Sequence, residues 1–240
     1  MTLLEICIDS VESAVKAEKA GADRLELCEN LLQGGVTPSP GKILRVIQAV
    51  TIPVRVLIRP RAGDFLYSQD ELAVIADDIK FCATTDCEGI VVGALTAESE
   101  IEEELLNHWK SLADHKKLVF HRAFDLTKNP HDSCQRLINA EFDTILTSGQ
   151  QNTAEEGLAV LEALQREYGS EINLLAGGGV RASNISKIQE TTGITHFHSS
   201  AKVLIEGNMS VSMSNSSVAE QVFTVDSEEV NQMKAILNEI

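Results

Sequence analysis

Residues 119–125 read Val-Phe-His-Arg-Ala-Phe-Asp, a stretch of strand composition in which charged groups interrupt a run that should be buried. Side chains alternate across a strand, so His121 and Asp125 fall on one face and Phe120 and Phe124 on the other. A strand with one apolar face and one polar, ionisable face needs a different neighbour on each side. In a parallel barrel the outer face packs on helices, which leaves the polar face for the interior.

The rest of the chain repeats the surroundings of this strand. Short β-branched runs at 3–9, 24–29, 54–61, 89–94, 118–124, 143–148, 172–176 and 195–199 alternate with stretches of helical periodicity at 10–20, 39–50, 69–83, 99–113, 130–140, 153–168 and 182–191, and a last one covers 227–239. Eight strands followed by helices predict an α/β fold of the (β/α)8 TIM-barrel type, with residues 1–240 as one domain. Asp226 and Glu229 have the spacing of a capping box before the last helix, and Gly21, Gly169 and Gly193 stand where helices should stop. Residues 201–226, rich in Ser, Asn and Met, predict a long loop over the barrel mouth, ahead of a C-terminal helix at 227–240.

The same parity assigns interior residues on the other strands. Glu5, Cys7 and Asp9 alternate with Leu4, Ile6 and Ile8; Arg24, Glu26 and Cys28 alternate with Leu25 and Leu27; Arg55, Leu57, Arg59 and Arg61 alternate with Val54, Val56 and Ile58. His196 and His198 oppose Phe197 on the eighth strand. Each buried charge costs several kcal/mol unless it is paired, so such a cluster needs internal partners or a ligand. Glu5, Glu26, Arg59 and Arg61 can be read as an ion-pair network that braces the barrel. At strand ends, where barrel active sites form, the same residue types read as a functional site.

Two chemistries fit that site. Ala-Gly-Gly-Gly-Val at 176–180 follows the seventh strand, a position from which backbone N–H groups hold phosphate in many barrels, and Ser199 and Ser200 follow the eighth. With Arg59, residues Gly177, Gly178, Gly179, Ser199 and Ser200 form a candidate anion site for a small phosphorylated or carboxylated metabolite. An enzyme built here would use Glu26, Arg61, His121 and Asp125, with His121 or Asp125 moving a proton and Arg61 helping to hold the anion. Separately, Cys7 and Cys28 lie on adjacent strands about 4.8 Å apart and face inward, so two thiolates can share a soft ion such as Cu(I), with His121 or His198 as a further ligand. Buried free cysteines that simply fill space are the alternative.

Composition narrows the classes of partner. A hydrophobic fraction of 43% supports a full core and argues against disorder. The formal net charge of −16 repels phosphate backbones and anionic lipid, so neither nucleic acid nor a membrane is expected as a partner. The first residues, Met-Thr-Leu-Leu-Glu-Ile, run into a strand with no basic leader, and five scattered cysteines suit reduced thiols, which together predict a cytoplasmic protein.

These segments resemble the CutC family of copper homeostasis proteins. The similarity rests on Glu-Ile-Cys at 5–7, Gly-Ala-Asp-Arg-Leu-Glu-Leu-Cys at 21–28, Gly-Gly-Val-Thr-Pro-Ser at 34–39, Ile-Arg-Pro-Arg-Ala-Gly-Asp-Phe-Leu-Tyr at 58–67, Phe-His-Arg-Ala-Phe-Asp at 120–125, Leu-Thr-Ser-Gly at 146–149 and Ala-Gly-Gly-Gly-Val at 176–180. The resemblance implies a cytosolic TIM-type barrel, a homodimer or higher homo-oligomer, that binds Cu(I) through the thiols that fall here on Cys7 and Cys28. Ala62 stands where the family pattern has Gly and Val36 where it has Leu; neither change removes a polar group.

Overall fold

The computed structural model describes residues 2–207 and 221–239. Eight parallel strands close into a barrel in chain order: β1 (Leu3–Ile8), β2 (Arg24–Leu27), β3 (Val54–Leu57), β4 (Gly89–Val92), β5 (Lys117–Phe120), β6 (Thr144–Thr147), β7 (Asn173–Ala176) and β8 (His196–Ser199). Around them stand α1 (Val11–Lys19), α2 (Pro40–Ala49), α3 (Gln69–Ala83), α4 (Glu103–Ala113), α5 (Pro130–Asn139), α6 (Leu158–Tyr168) and α7 (Ile185–Thr192), and α8 (Ser227–Glu239) completes the ring. The expected TIM-type barrel is therefore the observed one.

Local chemistry sets the helix starts. Ser10, Ser39 and Asn129 cap α1, α2 and α5 through side-chain oxygens, and Pro40 and Pro130 occupy first-turn positions where a missing N–H costs nothing. Ser68 and Glu71 make a reciprocal capping box on α3. Before α8 only half of the expected box forms: Asp226 Oδ1 accepts from Glu229 N–H, while the Glu229 carboxylate reaches across to the Ala182 N–H.

The core has two parts. Between barrel and helices lies a large apolar layer that includes the fully buried Trp109, Phe120, Phe124 and Phe197. Inside the barrel a smaller cluster of Leu57, Val91, Val119, Leu146 and Leu175 packs with Cys7 and Cys28. Below it, at the strand starts, Glu5 is 1% exposed and accepts from Arg24 Nε at 2.5 Å, with Arg55 Nη1 at 3.8 Å; Arg55 also donates to Glu88 at 2.9 Å. The bracing reading thus holds for Glu5, with Arg24 and Arg55 as its partners.

The stretch 201–226 differs from the expected loop. Strands β9 (Lys202–Glu206) and β10 (Gln221–Val225) pair antiparallel, β10 lies beside α1, and Lys16 donates to Thr224 Oγ1 at 3.0 Å. Among the described residues none of this stretch lines the barrel cavity. The apolar character of Val203, Leu204, Ile205, Val222 and Phe223 was the strand signal, masked by the polar composition between them; residues 208–220 lie outside the described residues.

Candidate functional site

A cavity of about 250 Å³ opens at the C-terminal ends of the strands. Three groups of side chains meet in it. On β1, β2 and β8 stand Cys7, Glu26 and His198; on the opposite wall stand Arg59, Phe65 and His121; the rim is made by Gly178, Gly179, Arg181 and Ser200.

In the first group a Cys7 thiol sulfur, a Glu26 carboxylate oxygen and a His198 ring nitrogen all lie within 4.8 Å of one another. Strand register produces this: Cys7 is opposite Glu26, and β8 pairs on the other side of β1. Cys28, fully buried, brings its sulfur to 3.6 Å from that of Cys7. Gly35 closes over it, at a φ of +87°, where an added Cβ would lie 3.3 Å from Cys28 Cβ and 2.7 Å from Leu57 Cδ2. Only a glycine lets the loop after β2 approach the thiol so closely.

The electrostatics of this group are set by its carboxylates. His198 Nδ1 lies 2.8 Å from Glu5 Oε1 and its Nε2 3.8 Å from Glu26 Oε2. Burial alone would lower the proton affinity of His198, but Glu26 and Glu5 together outweigh it and raise it. Burial pushes the Glu26 carboxyl up. The hydrogen bond to Cys28, and then burial, pushes the Cys7 thiol well above its ordinary value. Burial also works against the Glu5 charge, yet Arg24, His198 and Arg55 together hold that carboxyl low. An ionised Glu5 accepts a hydrogen bond from Nδ1–H of His198, so in the neutral ring the Nε2 lone pair lies on the Glu26 and Cys7 side. Ligand histidines are oriented for metals in this way.

On the opposite wall the reading of residues 119–125 is corrected. The strand ends at Phe120, and residues 122–126 form one 3₁₀ turn, so period-two alternation does not carry His121 and Asp125 to a shared face. His121 remains inward. The Asp125 carboxylate accepts from Thr147 Oγ1 (2.6 Å), Ser148 N (3.0 Å), Ser148 Oγ (2.9 Å) and Arg122 Nε (2.8 Å), with Gln150 N at 3.2 Å. So engaged, it braces the loop after β6 and has no free lone pair with which to take a proton.

Arg61 is corrected likewise. β3 ends at Leu57, the chain turns at Gly63 with a φ of +97°, and Arg61 reaches outward to Glu71, to Asp64 at 3.0 Å and to the Leu66 carbonyl. Arg59 stays in the wall, where its terminal nitrogens donate to the carbonyls of Gln33, Gly35 and Gly63. It ties the loop after β2 to the loop after β3.

The glycine run divides between packing and cavity. Gly177 donates to the Thr147 carbonyl, and a Cβ there would meet Leu146 Cδ1 at 2.5 Å, which makes it a packing residue. Gly178 and Gly179 have φ of +94° and +73° and line the cavity. Their carbonyls accept from Ala154 N–H and Asn184 Nδ2, and among the described residues their own N–H groups have no acceptor. Ser199 Oγ donates to the Val180 carbonyl and receives the Ala201 N–H, so it pins the two rim loops; Ser200 is left facing the cavity. Arg181 is a site residue that the sequence reading missed. Its signal was a basic residue directly after the glycine run in a chain of net charge −16. No described residue pairs with its guanidinium.

The profile of the CutC family matches residues 2–203. The chain belongs to the CutC family. The human copper homeostasis protein cutC homolog is 43% identical over 90% of this chain and 79% of its own length. A family protein CutC from Histophilus somni is 38% identical over 98% of this chain and 99% of its own. Among solved structures, a CutC protein from Streptococcus agalactiae superposes with a TM-score of 0.80 at 33% identity, covering 83% of this chain and 99% of that one. Phosphoribosylanthranilate isomerase from Pyrococcus furiosus, at 17% identity and a TM-score of 0.60 over all of both chains, shares the barrel fold. No helix among the described residues is long and apolar enough to cross a membrane.

Proposed function

We propose that this chain binds one Cu(I) ion through the thiolates of Cys7 and Cys28 and Nε2 of His198, with Glu26 beside the ion, as its part in copper homeostasis. The observation that carries the reading is the 3.6 Å separation of the two sulfurs. A linear two-thiolate ion would hold its sulfurs about 4.6 Å apart, taking a thiolate–metal bond of about 2.3 Å. Sulfurs this close fit a bent pair that needs a third donor: His198 and Glu26 group with the Cys7 sulfur, Cys28 joins that group through its contact with Cys7, and His198 is held in the tautomer that supplies the donor. Two sulfurs and an imidazole favour a soft ion, whereas a fully engaged Glu26 would shift the preference towards Zn(II).

A competition titration under reducing conditions, with Cu(I) and Zn(II) in parallel, tests this. The expected result is one Cu(I) per chain, bound far more weakly after Cys7→Ala or Cys28→Ala. Unchanged affinity in the double variant, or tighter binding of Zn(II) than of Cu(I), overturns it.

A second reading is favoured by Arg181. An unpaired guanidinium beside two glycine N–H groups and Ser200 supports binding of a small anionic metabolite at the rim, by an enzyme or a sensor built on the same barrel. A cytoplasmic homo-oligomer belongs to the proposal as well. The exposed apolar side chains of Val203, Leu204, Ile205 and Val222 support a self-association face, which light scattering of the purified protein checks.

A further inference from the structure

His121 is 5% exposed, and its ring sits in a slot between Gly93 and Phe65. A Cβ on residue 93 would stand 2.6 Å from the ring carbon Cε1, so glycine is required there, and the Phe65 ring lies 4.9 Å away, centroid to centroid. The Ala123 N–H donates to Nδ1 at 3.1 Å, which keeps the Nδ1 lone pair occupied as an acceptor. Burial, and then the charge of Arg59, lowers the proton affinity of the ring to about 3, so the imidazole is neutral. A neutral ring with a bare Nδ1 carries its proton on Nε2.

That Nε2–H is buried in the cavity wall and meets no acceptor among the described residues. Arg59, 7% exposed, leaves its Nε–H in the same condition, with its guanidinium carbon 4.9 Å from the centroid of the same Phe65 ring. Both donors lie beside the one Phe65 ring, and neither makes a hydrogen bond among the described residues; the buried Tyr67 hydroxyl, which approaches Arg59, is likewise without one. Buried donors are almost always paired, so an orphan pair lining a cavity marks the place of a ligand atom. A hydroxyl would bring a proton that needs an acceptor of its own. A carbonyl oxygen, with two lone pairs and no proton, takes both donors.

We propose that the cavity takes a small phosphate ester whose other end is a carbonyl: the phosphate at Gly178, Gly179, Arg181 and Ser200, the carbonyl oxygen at His121 Nε2–H and Arg59 Nε–H. The proposal rests on the anion reading of the rim and names the ligand class. It is independent of copper. The neutral imidazole polarises a carbonyl without donating a full charge, and the cavity of about 250 Å³ suits a skeleton of a few carbons.

Calorimetric titration of the metal-free protein with inorganic phosphate, dihydroxyacetone phosphate, glycerol 3-phosphate and unphosphorylated dihydroxyacetone separates the two ends. The ketone ester should bind about tenfold more tightly than the alcohol ester, and the free ketone should not bind measurably. Arg181→Ala should weaken all three phosphate compounds roughly tenfold. His121→Leu should weaken the ketone ester roughly tenfold while leaving inorganic phosphate unchanged, and His121→Gln, which keeps an N–H donor at that reach, should restore most of the loss. If inorganic phosphate binds but His121→Leu leaves the ketone ester unaffected, the carbonyl assignment falls and the anion reading stands. If no phosphate compound binds the parent, both fall.

Discussion

Cys7 and Cys28 hold their sulfurs 3.6 Å apart, one facing the cavity and the other behind it beneath Gly35. This pair joins the two ends of the sequence-to-function chain. Adjacent inward positions on β1 and β2 bring the thiols together, and the β8 register adds His198, whose ring Glu5 orients.

Because both cysteines pack in the small apolar cluster inside the barrel, each Cys→Ala change deletes a single buried sulfur. The expected cost is about 1 kcal/mol by urea unfolding, which leaves folded protein for metal titrations. A loss several times larger would make the thiols chiefly structural.

Glu5→Gln should be far more costly. The substitution preserves shape but strips Arg24 and Arg55, both buried, of the charge they face. A destabilisation of about 3–5 kcal/mol is expected in urea unfolding. Stability equal to the parent would mean that the arginines find solvent or another partner.

His121 predicts a pH dependence. Its folded proton affinity is lowered to about 3, whereas the unfolded chain titrates near 6.5. Above pH 6.5 neither state binds the proton, and the group contributes no pH dependence. Below it the unfolded state takes up a proton that the folded state refuses, so stability falls with pH down to about 3, by up to about 1.4 kcal/mol per pH unit. His121→Gln lacks this slope, so the stability gap between parent and variant should narrow between pH 6.5 and 4.5. Parallel curves would place a charged or solvated imidazole in the fold.

Arg61→Ala should leave metal binding and phosphate-ester binding as in the parent, since the side chain points away from the cavity to Glu71 and Asp64. Isothermal titrations of the variant check this. A marked loss of either affinity would return Arg61 to the site.

The barrel was legible because its signal is repeated: eight period-two runs alternating with eight helical ones, punctuated by Gly21, Gly169 and Gly193. Interior parity was right for Cys7, Glu26, Cys28, Arg59, His121 and His198, which stand on strands or one or two residues beyond them. It failed for Arg61 and Asp125, because alternation has no meaning once the backbone turns, at Gly63 in one case and into a 3₁₀ turn in the other. The choice of His198 over His121 beside the thiols depends on which strands neighbour β1 around the closed ring, a long-range fact that local pattern does not carry. Arg181 escaped because a basic residue in a loop has no periodicity to mark it.

The most direct measurement of the central claim is copper-edge X-ray absorption on protein loaded with one equivalent of Cu(I) under reducing conditions. The account predicts two sulfur neighbours and one nitrogen around the ion, with one sulfur lost in either Cys7→Ala or Cys28→Ala and the nitrogen lost in His198→Leu. A first shell without sulfur, or one left unchanged by removal of both cysteines, would contradict it.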